Sequence, residues 1–311
     1  MDDVVVHFDA VTRRFGSTEA LRGFSARVPA GSVTALLGRN ASGKTTLLRC
    51  AVNLLRPDSG RVAVFGVGST QLGPAEFSRI GYVSERQQLD PRLSVARTIE
   101  WTRSFYSESR SWDDALAADL MRRLDLDPNA RVGSLSLGQS RKLSLLLNLA
   151  YRPKLLVLDE PAANLDAIVR REFLELILDR LRDEGLTALF STHHLTDVER
   201  VADRVVLIED GRCRVERGLD DLKDRVKTLR LRARDGEIVA EPKFPDGAAV
   251  LRVRRTSADL QITIDGYDDG LPSRLREVTG VDVDVIDLPL EDVFIAYGQS
   301  HVPVAREEVG A

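Results

Sequence analysis

The stretch Gly38-Arg39-Asn40-Ala41-Ser42-Gly43-Lys44-Thr45 has the spacing GxxxxGK[ST]. That pattern lets a loop turn its backbone N–H groups inward, and a helix beginning at its end adds partial positive charge. The result is a cradle for an anion, above all a phosphate. Lys44 is placed to reach the outer phosphates of a nucleotide, and Thr45 offers a hydroxyl to Mg²⁺. A glycine-rich turn without nucleotide would not need the lysine, the hydroxyl and a strand-to-helix setting together. A second run, LLVLDE at 155–160, delivers two carboxylates at the end of an apolar segment. Asp159 would hold Mg²⁺ through water, and Glu160 would polarise an attacking water as general base. Any strand can end in Asp-Glu, so this run gains its meaning from the phosphate loop.

Rigid elements must hold these groups. TALLG (34–38) is a short apolar run ending in glycine, which suits a buried strand, and ASGKTTLLRCAVNLL (41–55) reads as the helix after it. KLLVLDEP (154–161) predicts a second buried strand; TALFSTH (187–193) and RVVLIEDG (204–211) predict two more. VVVHF (4–8), SARV (25–28) and RVAVFG (61–66) are further strands. IVRREFLELILDRLRDEG (168–185) predicts an amphipathic helix closed by glycine. Between roughly 86 and 135 the pattern is helical, with Ser111 as a helix cap and Leu116, Leu120, Met121 and Leu124 forming one stripe. Strands alternating with helices predict an α/β fold with a mostly parallel sheet covered on both faces.

The chain has 311 residues, 43% hydrophobic and 30% charged, which is ordinary globular composition with room for one large and one smaller domain. Its two cysteines, Cys50 and Cys213, lack metal-ligand spacing and read as small buried hydrophobes in a reducing compartment. The start lacks the features of a secretory signal, and no run of eighteen apolar residues occurs, so a membrane role is expected only through a partner. A net charge of −4 gives no general attraction to nucleic acid. Residues 220–311 carry a net −6 and the remainder +2, which places a domain boundary near Gly218. Beyond it, KTLRLRAR (227–234), AAVLRVRR (248–255), DLQITID (259–265) and VDVDVIDL (281–288) alternate like strands, while SRLREVTG (273–280) and LEDVFIAYG (290–298) read as helices. A small α+β domain over 219–298 and a frayed end at 299–311 are expected.

The two chemical motifs define a P-loop NTPase and no more. LSLGQ (135–139) resembles the LSGGQ signature of ABC ATPases. An aromatic at Phe15, IGYVSE (80–85), the ANLD turn (163–166) and His193 in STHHL follow in that family's order. The resemblance covers residues 4–215. It implies a P-loop ABC ATPase domain over 1–218, with an antiparallel β subdomain and a helical insert at about 86–140. It also implies a head-to-tail dimer, homomeric or heteromeric, with ATP and Mg²⁺ sandwiched between one subunit's phosphate loop and the other's signature. By resemblance, the nucleotide contacts are Phe15 (adenine stacking), Gly38, Asn40, Ser42, Gly43, Lys44, Thr45 and Thr46, joined in trans by Ser136, Gly138 and Gln139. Thr45, Asp159 and Glu85 would serve the metal, and Glu160, His193 and Lys44 the hydrolysis, with His193 positioning the water. A core histidine at a strand end is the lesser alternative for His193; His194 and His7 read as structural or exposed.

Several positions depart from the family pattern. Leu137 stands for the first signature glycine, Glu85 for the usual glutamine, Ala41 for a glycine of the phosphate loop and Asn164 for a small residue. None removes a phosphate ligand or the general base. Glu85, FYSESRSWDD (105–114) and PLEDVF (289–294) resemble the ATPase subunits of bacterial drug, bacteriocin and antibiotic exporters. This implies a cytoplasmic subunit attached to the inner face of the membrane through a separate multi-span permease. Trp101, Phe105, Tyr106 and Trp112 form either an aromatic core or a groove beside Glu85 and Arg86 for a helix of that permease. The PLEDVF segment reads equally well as a simple capping helix. The competing class is a soluble ABC ATPase with a regulatory, DNA-repair or ribosomal role. Long coiled-coil insertions and a second nucleotide domain, which the latter two usually carry, are missing.

Overall fold

Hairpin, sheet and helices follow one another from the first described residue, Val4. The computed structural model describes residues 4–85, 89–106, 112–163, 165, 167–232, 242–245, 247–256, 259–299 and 305–306, apart from some side chains of the helix at 167–184. The chain divides into two compact units, Met1–Cys213 and Arg214–Ala311.

In the first unit β1 (Val4–Phe15) and β2 (Thr18–Pro29) form an antiparallel hairpin, much longer than the alternation at 4–8 and 25–28 predicts. Register shifts after Phe8 and Val11 break the two-residue period, so polar residues such as Arg13 and Arg14 continue the strand. β3 (Val33–Leu37) is buried along its whole length and leads into α1 (Lys44–Ala51). That helix is shorter than expected at both ends. Ala41 (φ +65°) and Gly43 (φ +111°) are left-handed before it, and Asn53 (φ +57°) is left-handed after it. β4 (Ser59–Val64) and β5 (Val67–Gly68) complete the small antiparallel sheet in the order β2-β1-β4-β5.

There follow α2 (Pro74–Phe77), β6 (Ile80–Val83), α3 (Val95–Ser104) and α4 (Asp114–Arg123). The cap of α4 is Asp113 and not Ser111, which lies outside the described residues. The Asp113 carboxylate accepts from the Leu116 N–H at 2.8 Å, a stronger charged cap than a serine hydroxyl. α5 (Leu137–Leu149), β7 (Leu155–Leu158), α6 (Ala167–Glu184), β8 (Thr187–Thr192), α7 (Leu195–Val201) and β9 (Arg204–Glu209) finish the unit.

β9, β3, β8, β7 and β6 lie side by side in that order, every neighbouring pair parallel. β3, β7 and β8 are buried on both faces, which is why they read as unbroken apolar runs. The register sets Leu37 beside Thr192, Phe190 beside Leu158, and Leu158 beside Val83. The carboxyl ends therefore line up, and whatever follows them shares one edge, the place where open α/β sheets bind ligands.

β10 (Arg212–Gly218) crosses into the second unit, where α8 (Leu219–Arg225), β11 (Val226–Arg232), β12 (Ala249–Arg255), β13 (Leu260–Asp265), α9 (Leu271–Thr279), β14 (Asp282–Asp287) and α10 (Leu290–Gln299) follow. Its antiparallel sheet runs β12-β13-β11-β14. One face packs on α9 through Leu229, Ile262, Ile264, Leu271 and Leu275. On the other face the Tyr297 hydroxyl of α10 donates to Asp265 at 2.9 Å, and Arg217 and Arg225 flank the same carboxylate.

Candidate functional site

The phosphate loop connects β3 to α1, and its glycines answer to space. A Cβ at Gly38 would run into the Ile208 carbonyl, and one at Gly43 would sit 2.6 Å from the Ala20 carbonyl. Ala41 holds a left-handed φ of +65°, a conformation costing an L-residue about 1 kcal/mol that glycine would avoid. Lys44 is almost wholly buried. Its ammonium donates to the Gly38 carbonyl at 2.8 Å and the Arg39 carbonyl at 3.2 Å, and lies 3.3 Å from Glu160 Oε1. Asn40 is exposed on the loop and Thr46 half-buried on α1.

β7 delivers the carboxylates. Asp159 is fully buried; its Oδ1 accepts from the Thr45 hydroxyl at 3.0 Å and the Ser191 hydroxyl at 2.9 Å. Burial pushes its carboxyl above the usual range, the two hydroxyls pull it back, and the charge of Glu85 raises it further. Among the described residues Asp159 Oδ2 and Ser42 Oγ are buried without a hydrogen-bond partner, and a buried acceptor beside a costly charge is what a bound cation would satisfy. The donor set, two carboxylates and a hydroxyl, suits Mg²⁺. Glu85 itself is exposed at the end of β6.

Glu160 sits at φ +46°, a left-handed backbone that a non-glycine residue keeps only when its surroundings hold it. Its N–H donates to Ser191 Oγ at 2.8 Å, and its Oε2 lies 2.9 Å from Nδ1 of His193, the residue just past β8. Lys44, Thr45, Asp159, Glu160 and His193 thus come together from three adjacent parallel strands. His194 lies against His193, their ring centres 4.1 Å apart, with its Nε2 3.3 Å from the Arg170 guanidinium; burial and that charge hold it below the usual imidazole range.

Two residues in this network were not predicted from the sequence. Ser191 joins the backbone of Glu160 to the carboxylate of Asp159. Arg141 on α5 is buried, donates to the carbonyls of Glu160 at 2.7 Å and Pro161 at 2.6 Å, and reaches the Glu85 carbonyl at 3.4 Å. Two adjacent charges, Arg141 and Lys142, before the apolar run LSLLLNL (143–149) were the available signal for it. Arg141→Met keeps the length but strands two buried carbonyls. It should lower unfolding free energy by about 2–4 kcal/mol and depress turnover with Glu160 no longer held. Chemical denaturation and a steady-state ATPase assay read both, and unchanged stability would mean water replaces the guanidinium.

Other residues stand apart from this group. Ser136 caps α5 and exchanges hydrogen bonds with Gln139, at 3.2 Å and 3.0 Å, while Gly138 is half-buried in the first turn. No hydrogen bond or ion pair joins this turn to the phosphate loop among the described residues. Phe15 ends β1, nearly half exposed, with the Arg13 guanidinium 4.9 Å from its ring centre. The aromatic group predicted as one cluster is split in two. Trp101 and Phe105 pair edge to face at 5.1 Å and are 60% and 66% exposed, while Tyr106 stacks on Tyr151 at 4.2 Å with Trp112 beside it. Arg86, residues 107–111, Asn164 and Asp166 lie outside the described residues.

A family model for ABC transporters matches residues 21–163. The chain is 34% identical to the daunorubicin resistance ATP-binding protein DrrA3 of Streptomyces coeruleorubidus, over 72% of this chain and 71% of that protein. It is 30% identical to the ribose import ATP-binding protein RbsA of Pseudomonas putida over 82% of this chain, spanning about half (51%) of that relative's length. Among solved structures, the dimeric structure of a bacterial ABC transporter cassette is similar with a TM-score of 0.61 and 23% identity, covering 69% of this chain and 98% of that one.

Proposed function

The chain belongs to the ABC transporter ATP-binding family, and on that premise we propose that it hydrolyses ATP to drive an exporter whose membrane-spanning part is a separate polypeptide. The observation that carries the ATPase reading is the convergence of Lys44, Thr45, Asp159, Glu160 and His193 at one edge of a parallel sheet. In this reading the loop amides and Lys44 grip the phosphates, and Phe15 stacks on the base. Thr45 and Asp159, with Glu85 beside them, hold Mg²⁺, which supplies neutralisation of phosphate charge. Glu160 takes a proton from the attacking water. A His193 Nδ1–H donating to Glu160 leaves Nε2 to face the γ-phosphate and fixes the water's position. Ser136, Gly138 and Gln139, standing apart from the loop of their own chain, serve the nucleotide of a second subunit. The protein is thus a dimer when ATP-bound, and a homodimer holds two complete sites.

Export rests on Glu85, the 105–114 segment and the acidic second unit, and on the drug-resistance relative. The importer among the relatives aligns as well, so direction is the finer part of the proposal. Among the described residues no helix is long and apolar enough to cross a membrane. The exposed pair Trp101–Phe105 is the surface proposed to receive the separate membrane-spanning polypeptide, because aromatic side chains at an interface anchor binding. The full chain, tagged and pulled from native membranes, should bring down a multi-span protein. Trp101→Ala with Phe105→Ala should lose that protein while keeping its basal ATPase rate. Recovery of no membrane protein by the native chain would overturn the reading.

A further inference from the structure

The second unit contains a cavity of about 250 Å³ on the sheet face opposite α9. Its floor follows from register. Arg252 pairs with Thr263 and Arg254 with Gln261 across β12 and β13, and Arg230 pairs with Gln261 from β11. Paired residues of an antiparallel ladder share a face, so all three arginines stand on one side of the sheet.

A register shift between Val250 and Arg252 makes this possible. Val250 faces Ile264, a core residue, and unbroken alternation would place Arg252 on the same inner face. The extra residue, Leu251, is buried, and beyond it the strand is rephased so that Arg252 and Arg254 point into the cavity.

The charges are not spent on neighbours. Arg230 lies 3.3 Å from Asp259, but the side chains of Arg252 and Arg254 have no hydrogen-bond or ion-pair partner among the described residues. Guanidinium groups without a partner among the described residues stand out in a segment, 220–311, of net charge −6. Two positions apart on one strand, Arg252 and Arg254 are roughly 6.5 Å apart at the backbone, and their forks can converge on one group with several acceptor oxygens. Ile286 and Leu288 give the lining an apolar part, and Asp292, also in the lining, would repel a second anionic group.

We propose that this cavity binds a small phosphomonoester, its phosphate held by Arg252 and Arg254 and its organic body against Ile286 and Leu288. A carboxylate would occupy one guanidinium fork; a phosphate uses both. The site is separate from the nucleotide loop and does not depend on the direction of transport.

Phenyl phosphate, a phosphate dianion on a compact apolar ring, is the probe. Calorimetric titration of the full chain should give saturable binding at millimolar concentrations or below. Arg252→Gln with Arg254→Gln should weaken it about tenfold or more. Lys44→Ala should leave it within about twofold, because the nucleotide loop takes no part. Should the double variant fail to fold, Arg254→Gln alone, at an exposed position, should still weaken binding severalfold. Absence of binding to the native chain, retention of binding without the arginines, or its loss in Lys44→Ala would each overturn the proposal.

Discussion

Glu160→Gln should lower ATP turnover by about a thousandfold while ATP still binds. Positioned bases contribute about 10²–10⁴ in rate, and the amide cannot accept the proton that the carboxylate takes. The fold should tolerate the change. Glutamine has the same length, the Glu160 N–H keeps its bond to Ser191, and Arg141 still holds the 160 and 161 carbonyls. What disappears is one negative charge beside Lys44 and His193, 3.3 Å and 2.9 Å away. Removing that charge favours the triphosphate, so affinity should stay equal or improve. With hydrolysis blocked, the charge that joins two subunits persists, and gel filtration with ATP should show a stable dimer. Turnover within tenfold of the native rate would remove Glu160 from the role of base, and a monomer with ATP bound would remove the shared site.

The candidate edge was legible because its parts are local. A buried parallel strand reads as an apolar run, and the residue after it is aimed at the ligand edge by the sheet, so β3, β7 and β8 predicted where Lys44, Asp159 and His193 would lie. What sequence reading missed depends on distant contacts or on broken periods. Arg141 acts through carbonyls nineteen and twenty positions away, and nothing in its own neighbourhood reports them. The long β1–β2 hairpin hides behind bulges, and the bulge at Leu251 hides the arginine face of the second unit in the same way. Spacing in sequence also misled at Trp101, Phe105, Tyr106 and Trp112. α3 ends at Ser104, so Trp101 and Phe105 pair in an exposed position while Tyr106, past the helix, stacks on Tyr151.

Lys44→Ala should raise the ATP dissociation constant by about 10–100-fold, the range expected when one charge-assisted contact worth about 1.5–3 kcal/mol is lost. The geometry argues for the upper end. The ammonium now offsets the Gly38 and Arg39 carbonyls and the Glu160 carboxylate. Without it those three oxygens remain on the wall of the phosphate cradle and oppose a polyanion. That term can be separated from the lost contact by a double-mutant cycle. In Lys44→Ala, adding Glu160→Gln removes the opposing charge, so the double variant should bind ATP more tightly than Lys44→Ala alone. Fluorescent-nucleotide titration at fixed ionic strength measures all four corners of the cycle. Additive effects would mean that Lys44 and Glu160 act on the phosphates independently. Unchanged affinity in the single variant would mean that the loop amides hold the nucleotide without the lysine.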